Sequence, residues 1–277
     1  MMKKLDLSMV TLLCVETRDS SLGEWAIEKC ITHASFRRVV LITNLANIRF
    51  KKVGIEYLQA PPLQFFEEYS KFMMGNLSQY VLGTHVLIIQ WDSFITNPEL
   101  WDEKFLEYDY IGAVWPHHPL TPVGNGGFSL RSVKLLKALS DPQIKVGHPE
   151  DYYICVENKD LLESKFGIRI APAWVAEKFS VERAAWHSAF GFHGLFNFAK
   201  TLEKEDLKKF IQLVPRNLLN SIDTYDLLDS LWLEKKYYLF KILCNKIVFK
   251  FRYRKRYIIS KLRHIYCIYK INKDLIN

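Results

Sequence analysis

His85–Phe94 reads HVLIIQWDSF. The run from His85 to Ile89 is continuously apolar after its first residue and stops abruptly at Gln90-Trp91-Asp92. That is the pattern of a strand buried on both faces, with a carboxylate delivered to its C-terminal edge. Ligands of open α/β sheets bind at this edge, so Asp92 is the first candidate functional residue. Working outward, Val123–Ser132 reads VGNGGFSLRS. Gly124, Gly126 and Gly127 surround Asn125, and a short strand is expected to follow at Phe128–Arg131. Backbone without Cβ atoms can approach a bulky ligand closely.

Other apolar runs of strand length are Met9–Val15, Arg38–Thr43, Ile55–Leu58 and Tyr110–Val114. Between the first two, Ile27, Cys30, Ile31 and Ala34 recur at helical spacing, and Phe65, Tyr69, Phe72 and Tyr80 suggest a second helix before the Asp92 strand. Strands alternating with helices imply an α/β fold with a mixed, mostly parallel sheet flanked by helices. Pro61-Pro62 and the segment Pro116–Pro122 read as loops.

The chain has 277 residues, 49% of them apolar and 25% charged, enough for a full α/β core and a smaller appendage. No apolar stretch reaches the ~18 residues that suggest a membrane span. The first residues, MMKKLDLSMVTLLCVETRD, resemble a signal peptide only superficially: Asp6 interrupts the apolar run and no small-residue cleavage site follows. Cys14, Cys30, Cys155, Cys244 and Cys267 form no CxxC pair and no metal spacing, so they read as reduced thiols of a cytoplasmic protein.

Charge is unevenly distributed. Residues 235–277 hold 13 Lys/Arg against one acid, Asp274, a net of +12 within a whole-chain +8, which leaves −4 for residues 1–234. The basic segment contains no Pro or Gly and interleaves its cations with nine aromatic residues between Tyr237 and Tyr269. It is expected to be helical, with an apolar side and a cationic side. Such a helix suits an anionic membrane surface, and the expected location is the cytoplasmic face of a membrane, held peripherally. A solvated basic extension, or helices packed with their cations outward, are the alternatives. The domain expectation is a catalytic domain at about 1–200 and a basic, aromatic-rich helical tail at about 201–277. A nucleic-acid partner is not expected, because the acidic portion lacks Lys/Arg clusters and known nucleic-acid-binding motifs.

Five motifs occur in order: the Asp92 strand, YDYIGAVW at Tyr108–Trp115, GNGGFSLR at Gly124–Arg131, HPED at His148–Asp151 and FGFHG at Phe190–Gly194. From Val10 to Gly194 this order resembles nucleotide-sugar glycosyltransferases of the GT-A type. It is most similar to a bacterial and viral family of glycosyltransferase-like domains formerly without assigned function. The resemblance implies a GT-A-like fold and a divalent metal, Mn2+ or Mg2+, that neutralises the departing diphosphate. Such enzymes usually carry Asp-x-Asp at the strand end. Here Gln90 stands in the first position, so Asp92 is the leading metal ligand and His193 its expected partner. The other reading of His193 is a packed histidine between Phe192 and Gly194. His117, His118 and His148 are further ligand candidates whose other reading is plain loop residues.

The resemblance also assigns the base. Glu150-Asp151 is expected to open a helix, where two acids favour the helix dipole. The functional reading makes one of them, Asp151 before Glu150, the acceptor of a proton from the attacking hydroxyl. Thr17 and Arg18, in CVETRD, and Asn44 occupy positions where this fold meets the nucleotide, and are open between that contact and plain loop residues. Gln90 and Trp91 border the donor, and Asn125, Gly126 and Gly127 contact sugar or acceptor. Arg131 is open between a phosphate contact and an acid pair. Trp91, Trp115 and Phe128 are open between sugar stacking and core, and Glu182 between a salt bridge and an acceptor contact.

The expected function is transfer of a sugar from a nucleoside diphosphate donor, UDP by resemblance, to a hydroxyl of a glycan or lipid-linked acceptor, with metal assistance and inversion, in polysaccharide biosynthesis. The alternatives are a non-catalytic carbohydrate- or nucleotide-binding relative, favoured by Gln90, and a nucleic-acid-binding protein.

Overall fold

The computed structural model describes residues 4–75, 77–118 and 120–274. Met1–Lys3, Pro119 of the expected loop and the last three residues of the tail lie outside them. The chain divides into two compact units, Met1–His193 and Gly194–Asn277.

In the first unit, β1 (Leu5–Val15), α1 (Ser20–His33), β2 (Ala34–Thr43), β3 (Glu56–Gln59), α2 (Phe66–Gly75) and β4 (His85–Ile89) follow in order. After them come β5 (Ser93–Ile95), β6 (Tyr110–Val114), β7 (Val123–Ser132), α3 (Val133–Ala138) and α4 (Glu150–Tyr152). The unit closes with α5 (Lys159–Phe166), α6 (Ala173–Phe179), β8 (Ser180–Val181) and β9 (Gly191–His193). The main sheet has the order β3-β2-β1-β4-β7-β6, and a small sheet has the order β5-β9-β8. In the main sheet β2, β1 and β4 are joined in parallel, as are β2 and β3, while β7 runs antiparallel to both its neighbours. The unit is therefore a mixed α/β fold whose sheet is parallel apart from one reversed strand.

Every residue of β4 is buried, as are Val10–Val15 of β1, which is why these strands read as unbroken apolar runs. Leu13, Val40, Ile42, Val86 and Ile88 form a core with Phe72 and Met73 of α2 and Leu136 of α3. Helix α1 starts where the Asp19 carboxylate accepts the amide of Ser21, and it buries Leu22, Ala26, Ile27 and Cys30.

Three details differ from the sequence reading. Ala34 opens β2 rather than extending α1, because the helix passes into the strand without a linker. Tyr80 belongs to a separate 3-10 turn, Leu77–Tyr80. The glycine-rich segment is not a loop before a short strand: Val123–Ser132 is one fully buried ten-residue strand. Trp115 packs where a side chain on Gly124 would lie, and Tyr110 Oη donates to the Gly124 carbonyl, so the glycines are filled over by neighbours.

The second unit is helical: α7 (Phe198–Thr201), α8 (Lys204–Leu213), α9 (Ile222–Leu233), α10 (Tyr237–Cys244) and α11 (Arg254–Asp274). Its interior contains Phe198, Leu207, Phe210, Leu227, Leu228, Leu231, Phe240 and Leu243, with Phe198 and Phe210 edge to face at 4.7 Å. The basic segment is helical but interrupted, with a 3-10 turn at Phe251–Tyr253 ahead of α11.

Candidate functional site

Strand β4 ends at a pinned turn. The Gln90 amide donates to the Gly127 carbonyl at 3.0 Å and meets Ser93 Oγ at 2.9 Å, and Ser93 Oγ donates to Gly127 O at 2.7 Å. The chain reverses through Trp91-Asp92 into β5, which pairs antiparallel with β9 so that Ser93 faces His193. That pairing brings together residues about a hundred positions apart. His193 Nε2 lies 3.6 Å from Asp92 Oδ1 and 3.2 Å from Gln90 Oε1, and Nδ1 lies 3.4 Å from Glu182 Oε1. Burial, the largest influence on the imidazole, opposes its charge. Asp92 and Glu182 outweigh it and raise the His193 pKa to about 10. The ring occupies space that only a glycine at 127 leaves: a Cβ there would stand 2.6 Å from Cε1 and closer still to Nε2.

The next glycine faces the acid pair. Glu150 and Asp151 open α4, as expected, and the helix passes into a π-helical turn at Tyr153–Glu157. Their environments differ. Glu150 is buried, and its Oε1 accepts from Nη2 of the fully buried Arg131 at 3.1 Å. Burial raises the Glu150 pKa, and Arg131 offsets part of that rise. Asp151 is half-buried, and its Oδ2 accepts the Gly126 amide at 2.9 Å. A Cβ on Gly126 would meet Glu150 Oε1 at 2.7 Å and Arg131 Nη2 at 2.8 Å. Arg131 is thus an acid partner inside the fold and not a surface phosphate ligand. Tyr69 links the two clusters: its hydroxyl is 3.4 Å from Gln90 Nε2, and burial together with the Glu150 charge pushes its pKa up.

A cavity of about 430 Å³ lies at the C-terminal ends of β1, β2 and β3. Thr17, Arg18 and Asn44 line it with Gln59, Ala60 and Pro61–Leu63. The loop after β1 is ordered by Glu16, a buried carboxylate that accepts from the Arg18 amide at 2.8 Å, Arg18 Nε at 3.0 Å and Nη2 at 2.7 Å. Burial opposes the Arg18 charge, whereas Glu16 and the Asp92 carboxylate raise its pKa, so the cavity cation lies within electrostatic reach of Asp92.

Of the residues expected from sequence, Asp92, His193 and Gln90 converge, Asp151 and Glu150 meet the glycine pair, and Thr17, Arg18 and Asn44 share one cavity. Asn44 Oδ1 also accepts the Ala46 amide, and Asn125 Oδ1 accepts the Gly127 amide at 3.2 Å, so both side chains shape backbone. Trp91 and Trp115 are buried, and Phe128 is core, packed on Phe179 and Phe190, which removes it as a sugar platform. His117 and His118 lie against Trp115, and His148 bonds Ser70 Oγ at 2.8 Å under the Phe66 ring. Sequence reasoning missed Glu16, Ser93 and the cavity wall after β3. A buried acid in the polar loop CVETRD is the one signal that pointed to the first of these.

Among the described residues no group of three or more His, Cys, Asp or Glu is arranged to hold a metal ion. Asp92 and His193 instead form a two-donor pair, with Glu182 on the far ring nitrogen. An ion held by this pair would take the place of the Nε2 proton that the neighbouring carboxylates stabilise, since a ligating imidazole must be neutral. A carboxylate on the second ring nitrogen is the usual orienting partner of a ligating histidine.

Residues 52–193 match the model of a family described as a protein of unknown function (DUF5672). No curated protein matches the chain. Among solved structures, the chain is similar to a glycosyltransferase involved in the glycosylation of the major capsid of PBCV-1, at 10% identity and a TM-score of 0.44, over 74% of this chain and 99% of that one. It is also similar to the bifunctional IspDF from Campylobacter jejuni, at 13% identity and a TM-score of 0.40, over 58% of this chain and 48% of that one. A third similar structure is the apo-form glycosyltransferase GlyE of Streptococcus pneumoniae TIGR4, at 13% identity and a TM-score of 0.36, over 58% and 44%. The chain thus spans about half the length of the last two. At these identities the chemistry has to be read from the site itself.

Proposed function

The chain belongs to this family of unknown function (DUF5672), and from its site geometry we propose that it is a glycosyltransferase. It would move a sugar from a nucleoside diphosphate donor, a UDP-sugar by sequence resemblance, to a hydroxyl of a glycan or lipid-linked acceptor. The observation that supports this most is the meeting of Asp92 and His193 at the end of β4, within electrostatic reach of the Arg18 guanidinium in the neighbouring cavity.

In this reading Thr17, Arg18 and Asn44 hold the nucleotide in the cavity, and the Arg18 cation faces the diphosphate. Bound by Asp92 and His193, Mn2+ or Mg2+ would neutralise the diphosphate charge as the bond to the sugar breaks. Glu182 lies 3.4 Å from Nδ1 of His193, a carboxylate beside that nitrogen that orients the ring with Nε2 toward Asp92. Gln90 holds the same ring from a position where an aspartate would add a second charge. The Gly126–Gly127 backbone, filled over by Glu150, Arg131 and the His193 ring, positions those side chains instead of meeting the sugar. Asp151 is steadied by the Gly126 amide and is free of the ion pair that occupies Glu150. It takes the acceptor's hydroxyl proton as that oxygen bonds to the anomeric carbon, and the nucleoside diphosphate leaves from the opposite face with the bonding electrons. Such in-line displacement inverts the anomeric configuration.

The test is incubation of the purified chain with a panel of nucleotide-sugars, with and without manganese, reading release of nucleoside diphosphate. Release that depends on both a donor and manganese is the expected outcome. Nucleotide binding without release would instead support a non-catalytic binding relative, and the absence of both would overturn the reading.

A further inference from the structure

Helix α11 is turned inside out. Among its described side chains Ser260 and Cys267 are buried, and the same face carries Arg256 and Arg263 inward. Arg256 Nη2 reaches Asp226 Oδ1 at 2.8 Å and Asp229 Oδ2 at 2.5 Å, and Arg263 Nη1 reaches Asp229 Oδ1 at 2.5 Å, both acids belonging to α9. Lys261 Nζ donates to the Cys244 carbonyl at 2.9 Å. The helix is therefore anchored to its own unit by its polar side.

The apolar side faces solvent. Ile258, Leu262, Ile265 and Tyr269, spaced by four, three and four residues, form one stripe and are 54%, 63%, 64% and 67% exposed. Ile259 and Ile268 flank it, also exposed. The stripe is about 16 Å long at ~1.5 Å per residue. One turn earlier on the same side, by helical spacing, stand the exposed Arg254 and Lys255. The segment leading into the helix exposes Phe249 and Phe251, which alternate with Lys250 and Arg252. A surface helix in water ordinarily buries its apolar stripe. Here the ion pairs to α9 hold that stripe outward.

We propose that this stripe, with the basic segment ahead of it, docks the protein onto a bilayer containing anionic lipid. The helix would lie in the interface plane, with Ile258, Leu262 and Ile265 among the acyl chains and Arg254 and Lys255 at the phosphates. No helix of the described residues is long and apolar enough to cross a membrane, so the contact is with one leaflet. A second copy of the chain is disfavoured by charge. Residues 254–273 contain no acid at all, so pairing two such helices would set cation against cation. The inference stands independently of the glycosyl-transfer reading.

The test is co-sedimentation of the full chain with vesicles of phosphatidylcholine and phosphatidylserine in about a two-to-one ratio, against phosphatidylcholine alone. The chain is expected to pellet with the anionic vesicles only, and progressively less as salt is raised. The variant Ile258→Ser/Leu262→Ser/Ile265→Ser changes exposed side chains only, so it should unfold at the parental temperature while its partition falls about 100-fold. Arg254→Gln/Lys255→Gln should lower it about 30-fold and flatten the salt dependence. The proposal is overturned if the parent stays in the supernatant at low salt, if neutral vesicles bind it equally, or if the triple serine variant binds as the parent does. It is likewise overturned if the parent runs at twice its mass on sizing and the triple variant dissociates, which would make a second copy the occupant.

Discussion

Gly127→Ala tests the placement of His193 without altering any group that bears charge. The alanine Cβ would sit 2.6 Å from Cε1 of the ring and nearer to Nε2, whereas ordinary contact begins at 3.4 Å. The ring therefore has to withdraw by about 0.8 Å or more, or β7 has to bend. The ring cannot swing away freely, since Asp92 and Gln90 hold one nitrogen and Glu182 the other. Overpacking of this kind costs about 1–3 kcal/mol, and at roughly 2–4 °C per kcal/mol the unfolding temperature should drop by several degrees while the protein stays folded. Metal ligands tolerate errors of only about 0.2 Å, so the displaced imidazole should no longer share an ion with Asp92. Calorimetric titration of UDP with and without manganese reads this directly. Affinity without metal should match the parent, because the cavity at β1–β3 is untouched, and the increment added by manganese should fall about 100-fold. Asp92→Asn should remove the same increment. A Gly127→Ala protein that keeps the full manganese increment would refute the idea that His193 must occupy this place for metal-dependent binding.

Three further outcomes follow from the geometry. Asp151→Asn should leave donor affinity intact and lower turnover by about 10²–10⁴-fold, and an equal loss of donor binding would point to a structural role instead. Arg131→Met leaves Glu150 buried without its partner and should cost about 3–5 kcal/mol in chemical denaturation, whereas Arg131→Met/Glu150→Gln should recover a large part of that loss; a double variant no more stable than the single one would contradict the pairing argument. The third concerns acid stability at the β2–β3 edge, where hydrogen bonds from Arg38 lower the pKa of Glu56 below 4.5. A depressed carboxylate contributes stability above its unfolded pKa and loses it as pH falls through the folded value. Being half exposed, the pair is worth only about 0.5 kcal/mol, so Glu56→Gln should lower the urea midpoint slightly near neutral pH and not below about pH 3; an equal deficit in acid would show that charge is not the cause.

Much of the first unit was legible because its signals are local. Strands β1, β2, β3, β4 and β6 each overlap an apolar run read from sequence, and the run is unbroken where the strand is covered on both faces, as in β4 and Val10–Val15 of β1. The reading of Val123–Ser132 fell short for a related reason. Glycines suggest a loop until Trp115 and the ring of His193 are seen to fill the space their side chains would take. The acid pair at 150–151 was expected to open a helix and does so, but nothing in the sequence divides its labour. That depends on Arg131 being drawn inside to meet Glu150 and on the Gly126 amide meeting Asp151.

By itself the sequence determined the alternation of strands and helices, the carboxylate at the end of β4 and the amphipathic, basic character of the last helix, because each follows from periodicity within a few residues. Only the tertiary structure decided that His193 meets Asp92, through the pairing of β5 with β9, and that Glu182 stands on its other nitrogen. It alone decided which side of α11 faces inward. A helical period fixes two faces and says nothing of which is covered, and here Asp226 and Asp229, some thirty residues upstream on α9, claim the arginines and leave the isoleucines in the open.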